Sequence, residues 1–474
     1  MAVSNKRAVA DVGASNKQPT MRISFALLLI CCCSTGIAQE YAGFRTSNYT
    51  GVQGAFFNPA SLAGSKYRFD VNLFSISSMV GNNNAAFNLR DMTSLDNDYI
   101  EDKFFGEDAK NSSGIVDLDI HGPSGMFNVK KFTIGITTRL RTMANIRDID
   151  GKLVNKLTTD FESDPELPYS VNSSDNMRMA VNGWAEIGIT AAREILHSGS
   201  HHVKGGITLK YLRGAANGYL HIDRFNGTLS EDELAQDVYL SNTTGTIGMG
   251  FSGSSVSDVE IGKLLKNQGS GFGAELGLIY EFRPDPLSSE YKIRAGIALQ
   301  DIGSIRYTRD PQRSGSYNVN ITGAERFYLN ELDGMEIDNY AAYFDAHPDY
   351  FTPAAANADR EYNVMLPARM QLDLDYAFNS KFFLNLAGQV PLSGSENKPY
   401  NNQYYSGITL TPRFETRRIG AFLPLNYNGL TAFNAGVALR VGPVFLGSGS
   451  VISALVDESK QADFFIGFRF GGLK

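Results

Sequence analysis

The chain is poor in the residues that staple or catalyse. Its 474 residues hold three cysteines, one tryptophan and six histidines. The cysteines are consecutive, Cys31 to Cys33, inside one apolar N-terminal segment. Loss of that segment leaves a chain with no disulfide, unusual for an exported protein. Charged residues make up only 20%, below the soluble norm of roughly 25%. A pI near 5.5 and a net charge of −7 exclude the basic face of a nucleic-acid binder. An apolar content of 43% excludes a disordered chain. After the N-terminal segment no run of 18 or more apolar residues occurs, which excludes a transmembrane helix. Catalytic signatures are also missing. G-x-S-x-G, Walker A, H-E-x-x-H and the dinucleotide fingerprint are absent, so no enzyme activity and no cofactor are expected.

What is present begins with Met21 to Gln39, MRISFALLLICCCSTGIAQ. Arg22 is a short positive region, Phe25 to Cys33 is an apolar stretch too short to span a bilayer, and Gly36-Ile37-Ala38 offers small residues for cleavage after Ala38. The segment 21–38 reads as a secretory signal peptide, and residues 1–20 as an extension from an early start codon. Removing Lys6, Arg7, Lys17, Arg22 and Asp11 makes the remaining chain more acidic.

Beyond it the dominant pattern is period two. Phe132, Ile134, Ile136 and Leu140 alternate with Thr133, Gly135, Thr137, Arg139 and Arg141. The same holds around Val116–His121, Val181–Ile189, Phe272–Phe282, Tyr291–Gln300, Met370–Phe378 and Phe433–Val441. Each segment presents one apolar face and one small or charged face. Many run to ten residues, longer than soluble strands, and start or end with aromatics such as Tyr280, Phe282, Tyr291, Tyr376, Phe378 and Phe433. Connections alternate between short (near 128–131, 197–201, 285–290 and 379–381) and long (near 81–113, 144–176, 227–270 and 310–362). These features predict an all-β fold, one transmembrane antiparallel β-barrel occupying 66–474, with long outer loops. Helices are expected within those loops at Ser230-Glu231-Asp232-Glu233 onward, at 258–267 and at 341–351. The last strand places Phe464, Ile466, Phe468 and Phe470 on one face.

Alternation assigns Asp117, Asp119, Arg139, Arg141, Arg294, Asp373, Asp375 and Arg440 to the lumen, because charge on the lipid face is costly. Their mixed signs suggest a salt-bridged interior rather than a selectivity filter. His197, His201 and His202 read as a solvated turn, and Asp148-Ile149-Asp150-Gly151 as an Asp-Gly turn, since Ile146 and Leu157 stand where a Ca²⁺ loop needs ligands. No metal site is expected.

Residues 49–74, YTGVQGAFFNPASLAGSKYRFDVNLF, place Asn58-Pro59-Ala60 just before the first strand. Asn before Pro favours a turn that positions that strand. The segment resembles the start of FadL-type outer-membrane proteins, where an NPA motif belongs to an N-terminal hatch inside a fourteen-stranded barrel. Ala295 to Gly303 and Gly271 to Gly277 resemble PorV-like relatives. Ala438 to Ser448 resembles the tail of an uncharacterised outer-membrane family of the same superfamily, and the similarity covers roughly 44–471. The resemblance implies a barrel of about fourteen strands with a hatch at 39–65, a place in the bacterial outer membrane among its lipids, and passive uptake of small hydrophobic molecules. Its alternative implication is a non-conducting accessory or scaffold with an envelope protein partner. Val259, Ile261, Leu264, Leu265, Phe327, Tyr328, Tyr343 and Phe344 are the loop residues that could meet a hydrophobic ligand, or pack on one another.

Overall fold

The computed structural model describes residues 40–90, 111–150, 167–172, 177–253 except 233 and 236, 268–285, 290–354 except 333, 334 and 336, 360–392 and 398–474. The signal segment, the 258–267 helix and Val259, Ile261, Leu264 and Leu265 lie outside them. The rest is a closed antiparallel barrel of fourteen strands. Among the described residues no helix is long and apolar enough to cross a membrane.

The wall runs through Tyr67–Asn82, Ser112–His121 continued by Ser124–Val129, Phe132–Ile149, Met177–Ser198 and His201–Asp232. It continues through Gly269–Phe282, Ile293–Thr308, Glu361–Met365 continued by Arg369–Ala377, Phe382–Pro391 and Gly407–Glu415. Ile419–Phe422 with Leu425–Asn428, Ala432–Ala435 with Val437–Val441, Val444–Ser448 and Gln461–Leu473 complete it. Closure comes from the first and last strands, paired from Gly81↔Gln461 to Tyr67↔Leu473. Closing the ring pairs the two edges that an open sheet would expose, the condition for sitting in lipid. Breaks fall at Gly122-Pro123, Leu366-Pro367 and Leu423-Pro424, where proline withholds a ladder donor.

The period-two faces sort as alternation requires. Ile136, Ile187, Ile189, Leu209, Phe272, Leu278 and Phe464 are exposed outward, whereas Arg139, Arg141, Glu186, Lys210 and Glu275 are buried within. Phe378, Phe382, Tyr427, Phe433 and Phe470 stand on the outside near strand ends, as an interfacial girdle does. Tyr291 does not join it. The residue precedes the strand that starts at Ile293, turns inward, and donates to Asn48 Oδ1 at 2.8 Å.

Most short turns share one end with both wall termini, and the long connections share the other, joined there by the tight turn at 429–431. At the long end, strand His201–Asp232 overshoots the wall. Its inner half pairs with Gly269–Phe282 and its outer half with Asp237–Gly253. Tyr169–Asn172, Gly315–Ile321, Phe327–Tyr328, Phe351–Pro353 and a helix at Tyr340–Ala346 complete a lobe. Among the described residues the helix expected from Ser230 is absent. The strand continues to Asp232, whose carboxylate accepts from the Leu234 and Ala235 amides at 3.1 and 3.2 Å and folds the chain into a hairpin. A local Asx-type turn outcompetes the capping box because strand pairing is already in place on both sides. The 341–351 expectation shortens to that one helix, followed by strand.

Candidate functional site

The lumen is filled by residues 40–65, folded as three short 3₁₀ helices, Phe44–Thr46, Gly51–Phe56 and Pro59–Gly64. Asn58 is extended (φ −160°, ψ 112°) and caps the third helix, its Oδ1 accepting from the Ala60 amide at 3.0 Å, with Pro59 at the first helical position. The Asn58 side-chain amide donates to the wall carbonyls of Ile297 (3.2 Å) and Leu278 (3.4 Å). This approach needs bare backbone. A Cβ on Gly277 would lie 2.1 Å from Asn58 Oδ1, and one on Gly206 would lie 2.4 Å from Pro59 C. The motif therefore sits against a wall thinned by glycine. On the outer side of the same wall lies an apolar groove of ≈ 600 Å³, lined among others by Phe132, Ile195, Ile207, Leu278 and Ile297.

Polar contacts tie the segment to the wall on several sides. Gln53 donates to Asn72 (2.8 Å) and Ser75 (2.7 Å), and the Val52 amide donates to Asp70, which is paired with Arg469 at 2.7 Å. Ser47 and the Asn48 amide bond Glu415. An aromatic cluster of Tyr41, Phe44, Phe57, Phe422, Phe445 and Phe465 supplies the apolar part, with Phe44 stacked on Phe445 at 4.1 Å.

Above it lies the largest buried charge network among the described residues. Glu40 accepts from Arg139 at 3.1 Å and from Arg369 at 3.1 and 3.2 Å. Arg139 also grips Asp119 at 2.7 and 2.8 Å, and His121 lies between Asp119 (2.9 Å) and Gln53 (2.6 Å). Arg141 meets Asp301 at 2.9 Å and lies over the Trp184 ring. Lys210 binds Asp301, Glu186 and Glu275 at 2.9, 2.9 and 2.5 Å. From the long-loop end, the connection after Pro391 dips inward. Its Tyr404 hydroxyl lies between Glu40 and, at 2.6 Å, Asp117, within hydrogen-bond distance of both, while Asn402 donates to Asn145 and the Ala180 carbonyl. The plug from one end and this loop from the other meet at Glu40–Tyr404.

All eight sequence-assigned lumen charges point inward, but into different settings. Asp117, Asp119, Arg139 and Arg141 join the central network. Asp375 pairs with Arg413 at 2.6 Å nearer the short-turn end. Arg294 and Asp373 line a cavity of ≈ 40 Å³ beside Arg45 and Asn58. Arg440 bonds no acid among the described residues. Its guanidinium donates to the Thr416 and Arg417 carbonyls and lies over Tyr49 of the plug.

Glu40, Lys210, Asp301, Arg369 and Tyr404 were not singled out from the sequence. Lys210 and Arg369 carried the signal, since each alternates with apolar neighbours. Asp301 could not be read that way. A bulge between Leu299 and Ile302 sets its φ at +56° and turns both Gln300 and Asp301 inward.

In the lobe, Phe327 and Phe344 are buried against Phe351, Tyr317 and Val319. Tyr328 donates to Asp232 at 3.0 Å, and Tyr343 donates to Glu331 and stacks on His347. These four residues pack within the lobe. The histidine turn also differs from expectation. Strands run through to Ser198 and from His201, and His202 is 1% exposed rather than solvated. Asp148 and Ile149 close a strand, and Gly151 lies outside the described residues.

In structure the chain resembles FadL-family barrels. They include the toluene transporter TbuX of Ralstonia pickettii (12% identity, 93% of this chain and 97% of that one, TM-score 0.42). A Pseudomonas aeruginosa FadL homologue gives 9% identity, coverage of 92% and 99%, and a TM-score of 0.43. The P. putida toluene transporter TodX gives 9%, 90% and 95%, and 0.39. The likeness assigns no ligand to this chain. No curated protein matches it in sequence. A family model described as a family of unknown function (DUF5723) matches residues 59–449, from the NPA motif almost to the last wall strand, and the chain belongs to that family.

Proposed function

We propose that this protein is an outer-membrane barrel held shut to water-soluble solutes, serving as an accessory or scaffold of the cell envelope rather than as an open pore. The observation that carries this reading is the Glu40 clasp. One carboxylate joins the plug to Arg139 and Arg369 of the wall and to Tyr404 of the inward loop. A fourteen-stranded barrel is too wide for wall side chains alone to fill. Here the plug and loop fill it, and moving either would strand buried charges at a cost of about 3–5 kcal/mol per broken pair. The packed lobe on the long-loop side is the surface such a scaffold would offer to a partner protein. The middle of the described lumen, around Glu40, Arg141 and Lys210, is charged, which is the wrong lining for a hydrophobic solute.

A second reading is passive uptake of small hydrophobic molecules. It rests on the glycine-thinned wall at Gly206 and Gly277, with Asn58-Pro59 inside and the apolar groove outside.

Planar bilayers test the first reading. The intact barrel should be silent, and deletion of residues 41–65 should give ion conductance, with folding of both checked by heat-modifiable mobility on gels. Steady conductance by the intact protein would overturn it. Purification from native membranes, analysed for bound protein and bound lipid or small molecule together, separates the two. A stoichiometric protein partner favours the scaffold, and a co-purifying apolar ligand favours uptake.

A further inference from the structure

We propose that Glu194, His197 and His202 form a binding site for a divalent transition-metal ion, zinc foremost, on the short-turn rim of the barrel. The three side chains offer one ligand atom each, all within 4.8 Å of one another. Strand pairing makes the cluster. His197 and His202 are directly opposed across the hairpin that turns at Gly199-Ser200, with ring centroids 4.2 Å apart. Glu194 is three residues before His197, and in a regular strand the two would face opposite sides. The register passes from Glu194↔Lys204 to Leu196↔Val203, leaving an extra residue on one strand. Ile195 and Leu196 consequently both face outward, exposed, and His197 returns to the side of Glu194.

The chemistry of the donors fits. Two imidazoles and a carboxylate are a zinc donor set that leaves a fourth position for water. His202 is buried. Its Nδ1 lies 2.6 Å from Glu194 Oε1, while its Nε2 has no hydrogen-bond partner, an arrangement that native interiors rarely leave standing. Ligands around tetrahedral zinc at 2.0–2.1 Å sit roughly 3.4 Å apart. The cluster therefore closes by a small rotation of His197 and Glu194, both of which reach solvent, with the Glu194 carboxylate already on His202. Nearby cations are engaged elsewhere. Lys204 and Arg283 both pair with Glu281, and Arg193 lies over the outward Phe132 ring. His201 faces away and bonds the Tyr280 hydroxyl at 2.8 Å.

Full-chain protein in detergent, stripped with chelator, would be titrated calorimetrically with Zn²⁺. Cu²⁺ in its place reports coordinated nitrogen by electron paramagnetic resonance. The expected result is a single equivalent bound with two imidazole nitrogens. His197→Ala and Glu194→Gln should weaken binding by at least the roughly 10–100-fold that loss of an outer partner costs, and His201→Ala should leave it unchanged. His197 is exposed, so its variant should fold even if His202→Ala does not, and gel mobility checks this. No binding by the native chain, or equal binding by His197→Ala, would overturn the proposal.

Discussion

The lumen and the outer lobe are two cores in one chain, built on opposite rules. The lobe buries Phe225, Leu229, Phe251, Val319, Phe327, Phe344 and Phe351, as a water-soluble domain would. The lumen also holds aromatic contacts such as Phe44 on Phe445, but its middle buries Glu40, Asp119, Arg139, Arg141, Lys210 and Asp301. The contrast follows from solvent. In the lobe, water surrounds the sheet, so apolar faces turn together. In the membrane span, lipid takes the apolar faces, and what remains for the interior is the polar half of each strand. Polar groups in a closed interior must then be satisfied by one another, so the lumen is pair-specific where the lobe is only shape-specific.

Arg141→Ala should break the comparison hardest. It takes one of two cations from Asp301, leaving Lys210, and removes the guanidinium beside Glu40, Glu186 and Trp184. The expected loss is about 3–5 kcal/mol, read as a lower urea midpoint of the heat-modifiable gel shift for the whole barrel. Phe344→Ala should cost a comparable ~3–5 kcal/mol, but locally. Limited proteolysis should open the lobe while the barrel midpoint stays put. A global fall would show that the two cores are one cooperative unit. Asn58→Ala loses a helix cap and two bonds to the wall, so about 1 kcal/mol is expected, with brief openings in bilayer recordings as the sensitive readout. Arg306→Ala removes an exposed pair with Glu361. It should change the midpoint by less than about 0.5 kcal/mol, because such pairs are solvated and screened by salt.

The lobe also sharpens what titrates. Burial, then the Asp345 carboxylate to which it donates, pushes the Tyr317 hydroxyl above its ordinary range. It should remain a donor well past pH 10, and ultraviolet titration of Tyr317→Phe against the native protein would show no lost phenolate near that pH.

Alternation determined a great deal: the all-β class, the face each of the eight charges takes, the outward Phe464, Ile466 and Phe470 of the last strand and, together with segment length and aromatic strand ends, the barrel. This works because a strand has only two faces and a membrane gives each a different solvent. Connection lengths likewise separated the two ends of the barrel. The partners of those charges were not legible. Glu40 reaches Arg139 and Arg369 across 99 and 329 residues of sequence, and only barrel closure and strand register bring them together. Bulges were equally hidden. One turns Asp301 into the lumen and another returns His197 to the side of Glu194, each overriding the parity from which the faces were read. The hairpin at Asp232 shows the same hierarchy, a helix signal overruled by strands already paired. Local pattern sets which way a side chain faces, and tertiary register decides what it meets there, because pairing is a property of two strands and alternation a property of one.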